Sequence, residues 1–234
     1  MPQTIRLDKA VSQVTNLSRA DAKRAAKSGR ITVNGEIITN PATKVVDEDI
    51  LCLDGRQLSQ PGPRYFMLHK PLGYVSASKD SEHPTVLDLI DEPNKHLLHV
   101  AGRLDIDTTG LVLITDDGQW SHKVTSPRHH HHKVYHVHLA DSIAENAADK
   151  FAKGVWLDGE QKRTRPAQLE ALSMKEARLT ISEGRYHQVK RMFAALGNRV
   201  LQLHRERIGT IVLDEELAEG DYRPLTEIEV NSIQ

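Results

Sequence analysis

Apolar and polar positions alternate with several distinct periods along this chain, and each period predicts a different element. Ser18 precedes a stretch of helical composition from Arg19 to Ser28, with Asp21 three residues on as a capping partner. Gly29 supplies a left-handed residue to end that helix. Ile31-Thr32-Val33, Asn34-Gly35 and Glu36-Ile37-Ile38 then read as strand, tight turn and strand, because Asn-Gly tolerates the positive φ values of a type I′ turn. Further on, Tyr65 to Leu68 reads as a strand ending at Lys70-Pro71, and Leu111 to Thr115 as a buried strand. Val134 to Leu139 alternates like a strand exposed on one side, and Ala177 to Ser182 is another strand. Asp141 to Lys153 is helical in composition. Val189, Met192, Phe193 and Leu196 fall at i, i+3, i+4 and i+7, which predicts an amphipathic helix over Tyr186 to Leu196, stopped by Gly197-Asn198.

These elements mix without a βαβ rhythm. An α+β fold with a mainly antiparallel sheet is therefore expected. Between Asp54 and Arg64 a run holding Gly55, Pro61, Gly62 and Pro63 reads as a break. The expected division is a small domain over residues 1–58, a linker over 59–64 and a larger domain over 65–234.

Composition narrows the class. The 234 residues are 38% hydrophobic, enough for a core, and no apolar run approaches the ~20 residues of a membrane span. The N-terminus lacks the apolar segment of a signal peptide. Cys52 is the single cysteine, so no internal disulfide forms and a reduced, cytoplasmic setting is expected. The net charge of −1 hides two basic regions. Residues 1–45 carry eight Lys and Arg against three acids, and residues 185–207 carry six against Glu206 alone. At about 100° per residue, Arg19, Lys23 and Lys27 share a narrow arc, with Arg30 just beyond the helix end. Such a stripe is either a solvated face or a phosphate contact, and the scarcity of neighbouring acids brings the second reading level with the first.

The candidate chemistry centres on Gly102-Arg103-Leu104-Asp105, followed by Ile106-Asp107-Thr108-Thr109-Gly110-Leu111. A carboxylate on such a turn can attack carbon, bind a metal or cap the next element. His129 to His132 does not supply a metal site: four consecutive histidines alternate faces in a strand, and no His-x-x-x-His spacing or cysteine pair accompanies them. A loop touching RNA is the better reading for that run, and no metal is expected. There is no Gly-x-x-x-x-Gly-Lys phosphate loop and no Gly-x-Gly-x-x-Gly.

Two resemblances sharpen the picture. Arg6-Leu7-Asp8-Lys9, Ser18-Arg19 and Gly29 to Gly35 resemble the pattern of the S-four RNA-binding domain, over about a quarter of the chain. The rest resembles the A-type pseudouridine synthases of the small ribosomal subunit, through Gly102 to Leu111, Lys133-Val134-Tyr135, His187-Gln188-Val189-Lys190 and Lys70-Pro71-Leu72-Gly73. Thr115 to His122 and Ser126 to His130 favour that type over its large-subunit cousins.

The resemblance implies an isomerase that needs no cofactor and acts on 16S ribosomal RNA, either naked or within an assembly intermediate. A monomer with no membrane association is expected. Asp105 would be the catalytic acid, acting as nucleophile or as charge stabiliser along a glycal route. Arg103 would either fill the space left by a flipped base or make an ordinary phosphate contact or an ion pair with Asp105, and Tyr135 would stack on the uracil. Lys190 would face the aspartate and stabilise its negative charge. Arg6, Arg19, Lys23, Lys27, Arg30 and Arg191 are the expected RNA contacts. Two other readings stay open: the same chemistry on 23S RNA, and an RNA-binding assembly protein without catalysis.

Overall fold

The computed structural model describes residues 4–15, 17–46, 48–58, 62–126 and 131–233. Residues 59–61 of the expected linker lie outside that set, as do Pro127, Arg128, His129 and His130. The chain divides into two compact units, Met1–Pro63 and Arg64–Gln234.

The first unit holds β1 (Ile5–Arg6), α1 (Leu7–Val14), α2 (Arg19–Lys27), β2 (Ile31–Val33), β3 (Glu36–Ile37), β4 (Lys44–Val45), β5 (Leu51–Leu53) and β6 (Arg56–Leu58). Strands β3-β2-β5-β6 form one antiparallel sheet, and β1 pairs with β4. The Ser18 side chain accepts the Asp21 N–H at 3.1 Å, the cap its position predicts. Asn34 and Gly35 have φ of 52° and 88°, as the tight turn between β2 and β3 requires. Two differences from the sequence reading have clear causes. Helix α1 is an element beyond those expected from the sequence, although Leu7, Ala10 and Val11 follow helical spacing, and all three are buried with Ala22, Ala26, Ile31 and Leu51. The expected break after Leu53 begins instead as a second hairpin, because Asp54 and Gly55 both take positive φ and return β6 onto β5.

The second unit holds β7 (Tyr65–Lys70), β8 (His99–Ala101), β9 (Thr109–Thr115), α3 (Gly118–Thr125), β10 (Lys133–Leu139), α4 (Ala147–Ala152), β11 (Gln168–Ala171) and β12 (Glu176–Ile181). It continues with α5 (Gln188–Ala194), β13 (Val200–Ile208), β14 (Ile211–Val212), β15 (Tyr222–Pro224) and α6 (Glu227–Asn231). Its sheet runs β11-β12-β10-β13-β9-β7-β15, with β14 on β13 and β8 on β9. The pairing is antiparallel except between β13 and β9. Strand β9 is buried from Gly110 to Thr115 because the sheet is covered on both faces there. Val112 and Ile114 join the cluster that includes Phe151 and Phe193, while Leu111 and Leu113 join Trp120 and Ile208.

The helix expected from Asp141 shortens to Ala147–Ala152. Tertiary bonds hold the earlier residues out of it: Asp141 N–H donates to the Asn198 side chain and Ile143 N–H to the Met174 carbonyl. Helix α5 starts at Gln188 rather than Tyr186, since His187 takes φ of 47° and its ring stacks on Tyr186 at 3.8 Å. Among the described residues, no helix is long and apolar enough to cross a membrane.

Candidate active site

The turn that follows β8 carries Asp105, and three buried groups hold its backbone. Lys70, at the end of β7, is fully buried and donates from Nζ to the carbonyls of Pro71 (2.9 Å), Thr108 (2.7 Å) and Ile106 (3.4 Å). Arg205 on β13 is 1% exposed and donates to the carbonyls of Gly102 (2.8 Å), Arg103 (3.2 Å) and Leu111 (2.9 Å). The Ser76 hydroxyl accepts the Leu104 N–H at 3.0 Å. Both ends of the turn are thus fixed by donors that water cannot replace.

Burial pushes the Lys70 ammonium down to about 8, even though Asp107 and Asp105 favour its charge. A lysine whose folded pKa lies below its unfolded value of ~10.4 binds fewer protons when folded, so stability rises with pH between about 8 and 10.4. Titrating unfolding free energy against pH should show this rise in the parent, with Lys70 accounting for about 3 kcal/mol of it over the window. Lys70→Met should flatten that part of the rise; an identical slope in both proteins would contradict the burial argument.

The Asp105 carboxylate is one-third exposed and faces α5. Lys190 Nζ lies 3.7 Å from Oδ2 and His187 Nε2 lies 3.5 Å from Oδ1. Lys190 is bound more closely to Asp107, at 2.5 Å. Although burial opposes the charged form, the Lys190 hydrogen bond and charge hold the Asp107 carboxyl below the usual range. One cation therefore bridges two carboxylates.

The loop before α5 is ordered by its own polar contacts. Glu183 accepts the Arg165 N–H and the Gln188 side-chain N–H, and Gln188 accepts the Arg185 N–H. Inward burial of Val189, Met192 and Phe193 then turns Lys190 toward Asp105.

A cleft of about 490 Å³ opens beside Asp105, lined by Tyr135, Lys133, Leu203 and the loop from Ser182 to His187. Tyr135 is 7% exposed on β10, with its hydroxyl 3.5 Å from Arg205 Nη1. Burial, helped by the Arg205 charge, lowers the Lys133 ammonium to about 8. Arg103 is exposed at the cleft wall and has no carboxylate partner among the described residues.

Asp105, Tyr135, Lys190 and Arg103 thus come together. Arg191, expected to meet phosphate, does not join them as a free cation. It is paired with Glu160 at 3.1 Å and donates to the carbonyls of Asp158 and Tyr186. Asp107 and His187 acquire places at the site that the sequence did not assign, although Asp107 lies in the same turn as Asp105. Arg205 lies in the run Leu203 to Gly209, whose match to the family marks it as structural or RNA-facing; it takes the structural role, through contacts that depend on β13 lying parallel to β9.

In the first unit the expectation of an unpaired basic stripe is corrected. Asp8 is fully buried, and Arg6 (3.0 Å), Arg19 (3.2 Å) and Lys23 (3.9 Å) converge on it. The Arg6 hydrogen bonds, against the cost of burial, and the Arg19 guanidinium hold its carboxyl below the usual range. Arg30 pairs with Asp54 at 2.5 Å, while Lys27 has no carboxylate partner among the described residues. Three cations around one carboxylate still leave a positive surface.

Residues 64–195 match the family model described as RNA pseudouridylate synthase, and residues 5–51 match the S4 domain. The chain belongs to the RNA pseudouridylate synthase family. It is 59% identical over 230 residues to Ribosomal small subunit pseudouridine synthase A of Salmonella typhimurium, covering 98% of this chain and 100% of the relative. The protein of the same name from Escherichia coli K12 is 58% identical with the same coverage. A crystal structure described as a pseudouridylate synthase superposes with a TM-score of 0.72 at 49% identity, covering 98% of this chain and 100% of that one. The fold expected from the sequence, an S4 domain followed by an α+β synthase domain, agrees with these matches.

Proposed function

We propose that this protein isomerises one uridine of small-subunit (16S) ribosomal RNA to pseudouridine, with Asp105 as the reacting carboxylate. The observation that carries the reading is the placement of that carboxylate on a rigid turn in the cleft wall, facing Lys190 and beside the buried ring of Tyr135. The reaction breaks the N1–C1′ bond, rotates the uracil and forms a C5–C1′ bond. The C5 proton leaves and N1 gains one, so atoms balance without a redox step.

A stacked uridine cannot reach a cleft of this kind, so the base must be flipped. Arg103, exposed and without a carboxylate partner among the described residues, suits the space the base vacates. Tyr135 offers a ring against the uracil and a hydroxyl near the departing C5 proton. Asp105 acts on the sugar or base as nucleophile, or stabilises charge along a glycal route. Lys190, shared with Asp107, keeps a cation beside it throughout. The protein would work in a reduced cytoplasmic setting, as a monomer, on naked RNA or an assembly intermediate.

The S4 domain supplies phosphate contacts from its basic face, chiefly Arg19, Lys23 and Lys27 with Arg6 at the edge. Arg19 and Arg6 hydrogen-bond buried Asp8, whereas Lys23 lies 3.9 Å from it and Lys27 has no carboxylate partner among the described residues, so Lys23 and Lys27 are the better suited to removal. Neutralising both should lower the slope of log affinity against log salt by about 0.7–0.9 for each phosphate that no longer meets a lysine. An unchanged slope would remove these lysines from the RNA-binding face.

Tritium release tests the chemistry. A small-subunit RNA transcript carrying 5-tritiated uridine should release its label to water when incubated with the protein alone. Tight RNA binding without release would favour a non-catalytic role.

A further inference from the structure

The outer face of β10 carries an arrangement that the isomerase reading does not use. Along this strand Tyr135, Val137 and Leu139 point into the core, while His136 and His138 are partly exposed on the opposite face. Glu176, the first residue of β12, pairs directly with His138 and lies diagonal to His136. One donor atom from each of the three residues lies within 4.8 Å of the other two. The imidazole centroids are 4.7 Å apart.

We propose that His136, His138 and Glu176 form a binding site for a divalent transition-metal ion of the zinc type. His138 Nδ1 lies 3.4 Å from Glu176 Oε1, and His136 Nε2 lies 3.7 Å from Oε2. Zinc binds nitrogen and oxygen at about 2.0–2.2 Å, which puts neighbouring donors of a tetrahedron roughly 3.3–3.5 Å apart. The observed separations are close to that value and long for hydrogen bonds. His136 Nε2 is buried and has no hydrogen-bond partner among the described residues, and a bound metal ion would satisfy it.

Two imidazoles and a carboxylate suit zinc rather than magnesium or calcium, which prefer oxygen donors. Partial exposure of all three residues leaves the fourth position for water. Arg178, directly opposite His136 on β12, is already held by Glu206 at 3.0 Å and so opposes a metal less strongly. None of the three ligands lines the cleft beside Asp105. The ion would clamp β10 to β12. The His129–His132 run, which draws attention in the sequence, lies outside this ligand set.

The test is calorimetric titration of zinc chloride into chelator-stripped full-length protein purified without a polyhistidine tag. Magnesium chloride is titrated in parallel. The parent should bind one zinc ion at this site and no magnesium. His136→Ala and Glu176→Gln should each weaken binding tenfold or more, a loss of the size seen when supporting residues of metal sites are removed. A variant with His129, His130, His131 and His132 all changed to Asn should keep the zinc affinity. As a second readout, zinc should raise the Tm of the parent but not that of His138→Ala. Absence of saturable zinc binding would overturn the proposal. So would full affinity in His136→Ala, or affinity lost only in the four-Asn variant.

Discussion

Replacing Asp105 with Asn should reduce tritium release by roughly 10,000-fold or more, the scale on which removing a reacting nucleophile acts. RNA affinity should stay within about twofold. The variant separates the two because Asn keeps the shape of Asp and loses only its charge. Lys190 would remain paired with Asp107 at 2.5 Å, so no buried cation is left stranded. The turn itself depends on Lys70, Arg205 and Ser76, whose contacts are to backbone atoms rather than to the Asp105 side chain. Release at the parental rate would show that another group reacts. Loss of RNA binding together with release would point to a structural role for Asp105.

Gly110→Ala should destabilise the protein by more than about 4 kcal/mol, beyond the usual range for a point substitution. At roughly 2–4 °C per kcal/mol for a chain of this size, the Tm falls by about 10 °C or more. Gly110 has φ of 106°, where an L side chain is strained. An added Cβ would also sit 2.3 Å from the backbone oxygen of Arg205 and 2.6 Å from its nitrogen. Backbone cannot yield as a flexible side chain does, so β9 would have to part from β13. That movement would carry Arg205 away from the carbonyls of Gly102 and Arg103, and the turn holding Asp105 would lose one anchor. Gly118→Ala is the control: its Cβ meets nothing within 4 Å, and its Tm should change little. Equal melting of the two variants, followed by circular dichroism, would contradict the packing argument.

Local signals carried much of the fold. Ser18, Asp21, Gly29, Asn34 and Gly35 specify a cap, a stop and a turn within a few residues, and each element formed where those signals put it. The strands of the synthase domain were legible because burial on one or both faces leaves alternating or continuous apolar runs. Tertiary bonds were not legible. Asn198 draws Asp141 out of its expected helix, and stacking of Tyr186 on His187 delays the start of α5.

The same division applies at the site. Asp105, Tyr135 and Lys190 belong to recognisable motifs, whereas the structural work of Arg205 depends on a parallel strand crossing. Charge counting misjudged the basic stripe, because Asp8 looks like one acid among many until its complete burial beneath Arg6, Arg19 and Lys23 is seen. Likewise the His136–His138–Glu176 cluster needs the register of β10 on β12 to become visible.

Isomerisation through Asp105 in small-subunit RNA leaves a mark that can be mapped: pseudouridine is located in 16S and 23S RNA from cells lacking their modifying enzymes, as naked RNA and as ribonucleoprotein. Carbodiimide treatment marks each new pseudouridine as a stop in reverse transcription. One new stop is expected in 16S RNA after incubation with the parent protein, and none with Asp105→Asn. New stops in 23S RNA alone would contradict the substrate, and a stop that persists with Asp105→Asn would contradict the mechanism.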